Sequence, residues 1–129
     1  YLDVGHNPHA AKELAKTLSE LPKATRQVAV FGMLSDKDRA QVCRIMVSSF
    51  NKWYLSDLQG PRGGIAQDLC AMLSEAGVPQ EKIQTFKTVE EALQRAIEEA
   101  HETDRIVTFG SFLTVASAIE YLKKKVGQN

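Results

Sequence analysis

The sequence predicts an α/β domain in three layers, with a parallel β-sheet between two layers of helices. Short apolar runs alternate along the chain with longer segments whose apolar residues recur every three or four positions. The connections between these segments are short, which favours parallel strands joined by helical crossovers. Runs such as VAVF and VTF have successive apolar residues, as expected of strands covered on both faces.

The apolar runs predict five strands, at residues 1–4, 27–31, 52–56, 83–86 and 105–109. A stripe of apolar residues at helical spacing follows each strand, at residues 11–21, 42–50, 65–76, 89–100 and 115–126. The stripe at 89–100 is the clearest of the five. It contains Val89, Ala92, Leu93, Ala96, Ile97 and Ala100. The predicted element order is therefore a strict alternation of strand and helix.

The composition is that of an ordinary globular domain, which we predict to span residues 1–129. Lys plus Arg and Asp plus Glu are both 16, so the net charge gives no reason to expect nucleic acid or an acidic membrane as a partner. No run of about 18 apolar residues predicts a membrane span. Cys43 and Cys70 are expected to be buried thiols, which is consistent with a reducing cytoplasm.

Ligands of open parallel sheets bind beyond the carboxyl ends of the strands, so the turns that follow the strands are the candidate sites. In the first turn, Asn7 is a good helix N-cap and Pro8 suits the first helical position. The free N–H groups of such a helix start favour an anion. Asp3 and His6 are not explained by capping and are candidates for a structural pair or for ligand binding. His6 and His9 have no third ligand, so no metal site is predicted.

Three further turns carry polar candidates, and each also has a purely structural explanation. Lys37 is a cation at a predicted helix start, which the helix dipole disfavours unless an anion lies nearby. Arg62 lies within GPRGG, where it could clamp an anion or simply occupy a turn. Ser111 could bind a carboxylate at the start of the last helix or act only as its N-cap.

Several nucleotide-binding and signalling motifs are absent from the sequence. The first strand is followed by GHNP rather than G-x-G-x-x-G, and no G-x-x-x-x-G-K-[ST] phosphate-binding loop exists. A phosphoacceptor signalling domain would explain Asp57 after the third strand, but it also needs an acidic cluster after the first strand and a lysine after the fifth. The residues alone predict an α/β domain that binds an anion at the carboxyl ends of its strands.

Four of the segments together resemble one family. DVGHNPHAA, VFGMLSDKD, WYLSDLQGPRG and GSFLTVAS are similar, in this order, to segments of the folylpolyglutamate and dihydrofolate synthases of the Mur ligase superfamily. The resemblance covers essentially the whole chain and is to the C-terminal domain of these enzymes. Two positions depart from the family: Gly5 stands where Ala is frequent, and Leu113 stands where close bacterial relatives often have His. No role is carried over for that His.

The resemblance implies a Rossmann-like fold with strand order 1-5-2-3-4, lacking the family's additional antiparallel strand. It also implies the C-terminal part of a larger, monomeric cytoplasmic ligase that uses ATP and Mg²⁺ to join L-glutamate to dihydropteroate or folate. The phosphate-binding loop, the magnesium ligands and most of the folate site would lie in an N-terminal domain. The alternative is a free-standing, non-catalytic module of the same fold that binds an anion or nucleotide.

The resemblance also assigns expected roles to individual residues. Asp3, His6 and Asn7 correspond to family positions near the nucleotide. Lys37, Ser111 and Phe112 correspond to positions that hold the incoming amino acid. It implies no metal ligand here and no catalytic residue in this domain alone, so the isolated domain is expected to be inactive.

Overall fold

The computed structural model describes residues 1–127. Its helices are α1 (Pro8–Glu20), α2 (Arg39–Met46), α3 (Ala66–Glu75), α4 (Val89–Glu99) and α5 (Phe112–Gly127). Its strands are β1 (Gln27–Phe31), β2 (Lys52–Ser56), β3 (Ile83–Phe86) and β4 (Arg105–Phe109). Short 3₁₀ turns at Val47–Ser49 and Gln80–Lys82 precede β2 and β3.

The four strands form one sheet in the order β3-β2-β1-β4, and every pairing between them is parallel. The last strand of the chain lies beside the first, with Phe31 opposite Phe109. The predicted parallel α/β sheet is thus confirmed, and these four segments have the neighbours that the family resemblance implied. β2 and β3 lie on one side of β1, whereas β4 lies on the other side. The strand order therefore changes direction between β1 and β4, and such a point leaves a crevice at the carboxyl ends of the two strands.

Of the five predicted strands, the one at residues 1–4 was wrong. The segment makes one isolated parallel bridge, between Leu2 and Thr108. The Asp3 N–H donates to the Thr108 carbonyl at 3.0 Å, and the Gly110 N–H donates to the Val4 carbonyl at 2.7 Å. These four residues lie against β4, where the implied order places them. The Asp3 side chain accepts a hydrogen bond from the Gly5 N–H, and Gly5, with φ +49°, turns the chain towards α1, so the pairing does not extend into a ladder.

Helices cover both faces of the sheet, as the continuous apolar strands predicted. α1, α2 and α3 pack on one face, and α4 and α5 pack on the other. The core under the first layer holds an aromatic cluster of Phe31, Phe50, Trp53 and Phe109. The rings of Phe31 and Phe109 stack with centroids 4.6 Å apart, directly below the turns that follow β1 and β4. These turns therefore stand on a rigid base.

The two cysteines are both buried and free, as predicted. Burial raises the pKa of Cys43 to about 12, so its thiol stays protonated at neutral pH. Among residues 1–127, no helix combines the length and the apolar composition needed to cross a membrane.

Glu99, the last residue of α4, ties this helix to two strands. Its Oε1 accepts hydrogen bonds from the Tyr54 hydroxyl at 2.6 Å, the Lys52 ammonium at 3.1 Å and the Gln84 amide at 3.1 Å. The Tyr54 hydrogen bond is the main reason why the pKa of Glu99 falls to about 2. Burial, followed by the same hydrogen bond, raises the pKa of Tyr54.

We expect Glu99→Gln to destabilise the fold at neutral pH and to have little effect in strong acid. The folded-state pKa lies below the ordinary value of 4.5, so the carboxylate stabilises the fold above pH 4.5, and this contribution is lost as the pH falls towards about 2. Since the carboxylate is partly exposed, solvent screening limits the effect to about 1 kcal/mol.

The measurement is urea unfolding of both proteins at neutral pH and near the folded-state pKa. Glu98→Gln, an exposed neighbour on the same helix, is the matched control. A Glu99→Gln destabilisation of equal size at both pH values would show that the carboxylate charge is not the stabilising feature.

Candidate functional site

A cavity of about 250 Å³ lies beyond the carboxyl ends of β1 and β4. Its lining comes from the turn before α1, the turn before α2, the loop before α3 and the first residues of α5. These residues are His6, Leu34, Lys37, Arg62, Ser111, Phe112 and Leu113. The four turns singled out in the sequence thus meet at one place, because β4 lies next to β1 in the sheet.

The start of α5 forms one wall, and Gly110 sets its direction. Gly110 has φ +120°, and a Cβ at this position would lie 2.2 Å from the Gly32 carbonyl oxygen. The chain therefore turns from β4 into α5 in close contact with the turn after β1, which only glycine allows.

Ser111 is buried and caps α5. Its Oγ accepts a hydrogen bond from the Thr114 N–H at 3.1 Å and also lies 3.1 Å from Thr114 Oγ1. The Thr114 hydroxyl donates to the Gly32 carbonyl at 2.8 Å, so the Ser111 hydroxyl is the donor between the two side chains. The single Ser111 proton is thereby committed. The donors that α5 can offer to an anion are the first-turn N–H groups of Phe112 and Leu113, which have no hydrogen-bond acceptor within residues 1–127.

His6 and Phe112 face each other in the cavity. Their ring centroids are 5.8 Å apart and the ring planes are inclined by 42°. The His6 Nδ1 atom is buried and has no hydrogen-bond partner within the described part of the chain. Phe112 is 72% exposed, which is unusual for a large apolar side chain beside a polar cavity. The pair offers an aromatic surface with one unpaired nitrogen.

Asp3 and Asn7 do not line the cavity. Asp3 Oδ1 accepts a hydrogen bond from the Gly5 N–H at 3.0 Å, which closes the turn after residues 1–4. Asn7 Oδ1 accepts from the Ala10 N–H at 2.8 Å and so caps α1 as predicted. Both side chains shape the turn that carries His6, and these contacts make no use of an external ligand.

Lys37 reaches the cavity from just before α2. The helix is capped by Asp38, whose Oδ1 accepts a hydrogen bond from the Gln41 N–H at 3.3 Å. Lys37 therefore lies one residue before the cap, with its side chain half-buried. Its charge still lies at the end of the helix where the dipole disfavours a cation.

Arg62 lines the cavity, although the sequence analysis assigned it no role in binding. It was recognised in GPRGG, but a simple turn explained the pattern equally well. In the structure, its guanidinium forms an ion pair with Asp36 at 2.6 Å, and its carbonyl accepts hydrogen bonds from the Ser35 N–H at 2.9 Å and the Ser35 hydroxyl at 3.1 Å. An arginine between Pro and Gly in a strand-end turn was the available signal.

The ionisable lining of the cavity is entirely basic. It consists of His6, Lys37 and Arg62, and no carboxylate lines the cavity within the described residues. Together with the free N–H groups of α5, this arrangement favours a small anion over a neutral or cationic ligand. Among residues 1–127, no three His, Cys, Asp or Glu side chains are grouped as metal ligands would be.

Comparison with known proteins gives consistent matches over the chain. Residues 1–112 match the family described as Mur ligase, glutamate ligase domain. The dihydrofolate synthase/folylpolyglutamate synthase of Escherichia coli (strain K12) is 38% identical over 120 residues, which are 93% of this chain and 27% of that protein. The chain spans just over a quarter of the length of such curated relatives.

Solved structures agree with these matches. E. coli FolC in complex with ADP, without folate substrate, aligns with 97% of this chain and 29% of its own, at 37% identity and a TM-score of 0.88. A bifunctional folylpolyglutamate synthase/dihydrofolate synthase with Mn, AMPPNP and L-glutamate bound aligns with 95% of this chain and 29% of its own, at 37% identity and a TM-score of 0.81. Because residues 1–112 match this family and a relative 38% identical is matched over 93% of the chain, the chain belongs to the Mur ligase family as a glutamate ligase domain.

Proposed function

We propose that this chain is the C-terminal domain of a cytoplasmic ligase that uses ATP to join L-glutamate to dihydropteroate or folate. The observation that carries the proposal is the basic cavity at the carboxyl ends of β1 and β4, on a chain whose relatives are named as these synthases. Because the chain spans about a quarter of those relatives, we propose that an N-terminal domain supplies the phosphate-binding loop.

The reaction divides naturally between two such domains. The pteroate or folate carboxylate takes the γ-phosphoryl group of ATP, which gives an acyl phosphate and ADP. The amino nitrogen of glutamate then attacks the acyl carbon, the amide C–N bond forms, inorganic phosphate leaves and the nitrogen releases its extra proton. The task of the present domain is to hold glutamate so that its nitrogen points at the acyl phosphate, which lowers the entropic cost of the encounter.

In this proposal, Lys37 and the first turn of α5 hold a glutamate carboxylate. The Lys37 ammonium supplies a charge-assisted hydrogen bond, and the N–H groups of Phe112 and Leu113 supply two more donors. Ser111 contributes by capping this turn, since its own proton is committed to Thr114. The relative with L-glutamate bound supports glutamate as the amino acid.

We propose that the turn before α1 contributes to the nucleotide site. His6 presents an unpaired nitrogen beside Phe112, while Asp3 and Asn7 hold the turn in shape and could approach the nucleotide once a second domain closes. The relatives solved with ADP and AMPPNP support a nucleotide. The described residues contain no candidate metal cluster, so we assign the divalent metal, Mg²⁺, to the N-terminal domain.

Replacing Lys37 by alanine tests the glutamate site. In the complete ligase, we expect the KM for L-glutamate to rise about 10- to 100-fold, the effect of losing one hydrogen bond to a charged group. The KM for ATP should change little, because this proposal assigns the nucleotide to the turn before α1 and not to Lys37. Steady-state kinetics with each substrate varied in turn give both values.

Lys16→Ala, which removes an exposed lysine on α1, is the matched control and should leave both constants unchanged. An equal rise in the two KM values for Lys37→Ala would contradict the assignment. An unchanged KM for glutamate would show that Lys37 is only a surface charge.

A further inference from the structure

Arg62 is held on a loop whose backbone is tightly fixed. A Cβ on Gly63 would lie 1.8 Å from the Leu58 carbonyl oxygen, and one on Gly64 would lie 2.0 Å from the Met33 carbonyl oxygen. The backbone thus approaches other segments so closely that only glycine fits on the C-terminal side of Arg62. Arg62 therefore lines the cavity from a loop whose backbone has little freedom to move.

The guanidinium itself is held only weakly. It forms its ion pair with Asp36 at 2.6 Å, but the two side chains are 61% and 47% exposed, and an exposed pair adds little stability. Asp36 does not line the cavity, whereas Arg62 does. Arginine has five N–H donors in a planar fork, so a second carboxylate can bind beside Asp36 or replace it at small cost.

We propose that Arg62 binds one of the two carboxylates of the amino-acid substrate while Lys37 binds the other, and that Asp36 holds Arg62 in place when the cavity is empty. The inference rests on the proposed function, and it explains why the ligase would prefer an amino acid with two carboxylates. Two permanent cations lie on separate loops, and no carboxylate among residues 1–127 lines the cavity. This arrangement matches a ligand with two carboxylates better than a ligand with one.

The first test compares Arg62→Ala with Lys37→Ala in the complete ligase. We measure the KM for L-glutamate and the competitive inhibition constants of L-glutamine and L-isoglutamine, which lack the γ- and the α-carboxylate respectively. Arg62→Ala should raise the KM for glutamate about tenfold. Arg62→Ala should also raise the inhibition constant of only one of the two amides, the one that retains the carboxylate bound by Arg62. The inhibition constant of the amide that lacks this carboxylate should stay unchanged. Lys37→Ala should show the opposite selectivity.

Arg44→Ala, on the exposed side of α2, is the matched control and should change none of these constants. A normal KM for glutamate in Arg62→Ala, or an equal weakening of both amides, would overturn the inference. Neither result would touch the proposed function, which fails separately if the wild-type ligase does not consume glutamate.

The second test asks whether Asp36 competes with the substrate. Asp36→Asn removes the competing carboxylate and should lower the KM for glutamate up to about fivefold, the range expected for a weak exposed ion pair. The same substitution should have no effect in an Arg62→Ala background, since no guanidinium remains to be released. A raised KM in the single variant, or an equal effect in both backgrounds, would show that Asp36 does not act through Arg62.

Discussion

Alanine at position 110 is expected to lower the free energy of unfolding by about 3 kcal/mol or more, since backbone strain and overpacking each cost about 1–3 kcal/mol. Gly110 has φ +120°, a region that residues with a side chain rarely adopt. The new Cβ would also lie 2.2 Å from the Gly32 carbonyl oxygen and 2.9 Å from two carbons of the Phe31 ring. Equilibrium urea unfolding gives the loss directly.

Gly77→Ala is the matched control because it separates the two causes. Gly77 has φ +102°, but a Cβ there would have no heavy atom within 4 Å. It should therefore show only the strain, about 1–2 kcal/mol. If Gly110→Ala costs no more than Gly77→Ala, the contact between the turns after β1 and β4 is looser than described. The position of α5, and with it the N–H groups facing the cavity, depends on this contact.

Most of the fold could be predicted because both periodicities were strong. The four strands begin and end at the residues that the apolar runs indicated, from Gln27–Phe31 to Arg105–Phe109. The exception is the segment 1–4, where an apolar run was not sufficient. Tyr1 and Leu2 are exposed, and the turn at Gly5 leaves the segment with a single bridge to β4, which the sequence pattern does not report.

The cavity was predicted less completely than the fold. The rule that ligands bind at strand ends selected His6, Lys37 and Ser111, the family resemblance added Phe112, and all four residues line the cavity. Their roles remain proposals. The rule also selected Asp3, and the resemblance added Asn7. The oxygen of Asp3 closes a turn and that of Asn7 caps α1, because a residue that binds a backbone N–H and one that binds a ligand have the same sequence signature.

Arg62 illustrates what a sequence pattern omits. The letters GPRGG indicate a turn, but they do not show that two glycines press against the Leu58 and Met33 carbonyls. That contact converts an ordinary turn into a fixed support for a guanidinium. The contact with Met33 joins segments that are distant in the chain, so periodicity and local propensity cannot predict it.

The second large effect concerns the isolated chain, which we expect to fold but to show no ligase turnover. Transfer of the γ-phosphoryl group needs a loop or clamp that surrounds the phosphates and a metal ion that neutralises their charge. The sequence lacks a phosphate-binding loop, and residues 1–127 contain no candidate metal cluster. Without acyl phosphate, an amino acid bound at Lys37 has no electrophile to attack.

The measurement is ADP release by the purified chain with ATP, Mg²⁺, L-glutamate and either dihydropteroate or folate, while circular dichroism checks that it is folded. The expected rate equals that of the same mixture without protein. Lys37→Ala serves as the control for contamination, because turnover from a copurified ligase would not respond to this substitution. Turnover that the folded chain supports, and that Lys37→Ala reduces, would place the phosphoryl-transfer site in this domain and overturn the proposed division of labour. If the chain is inactive and binds L-glutamate with Lys37-dependent shifts in its NMR spectrum, the cavity acts as the amino-acid half of a site that needs a second domain to complete it.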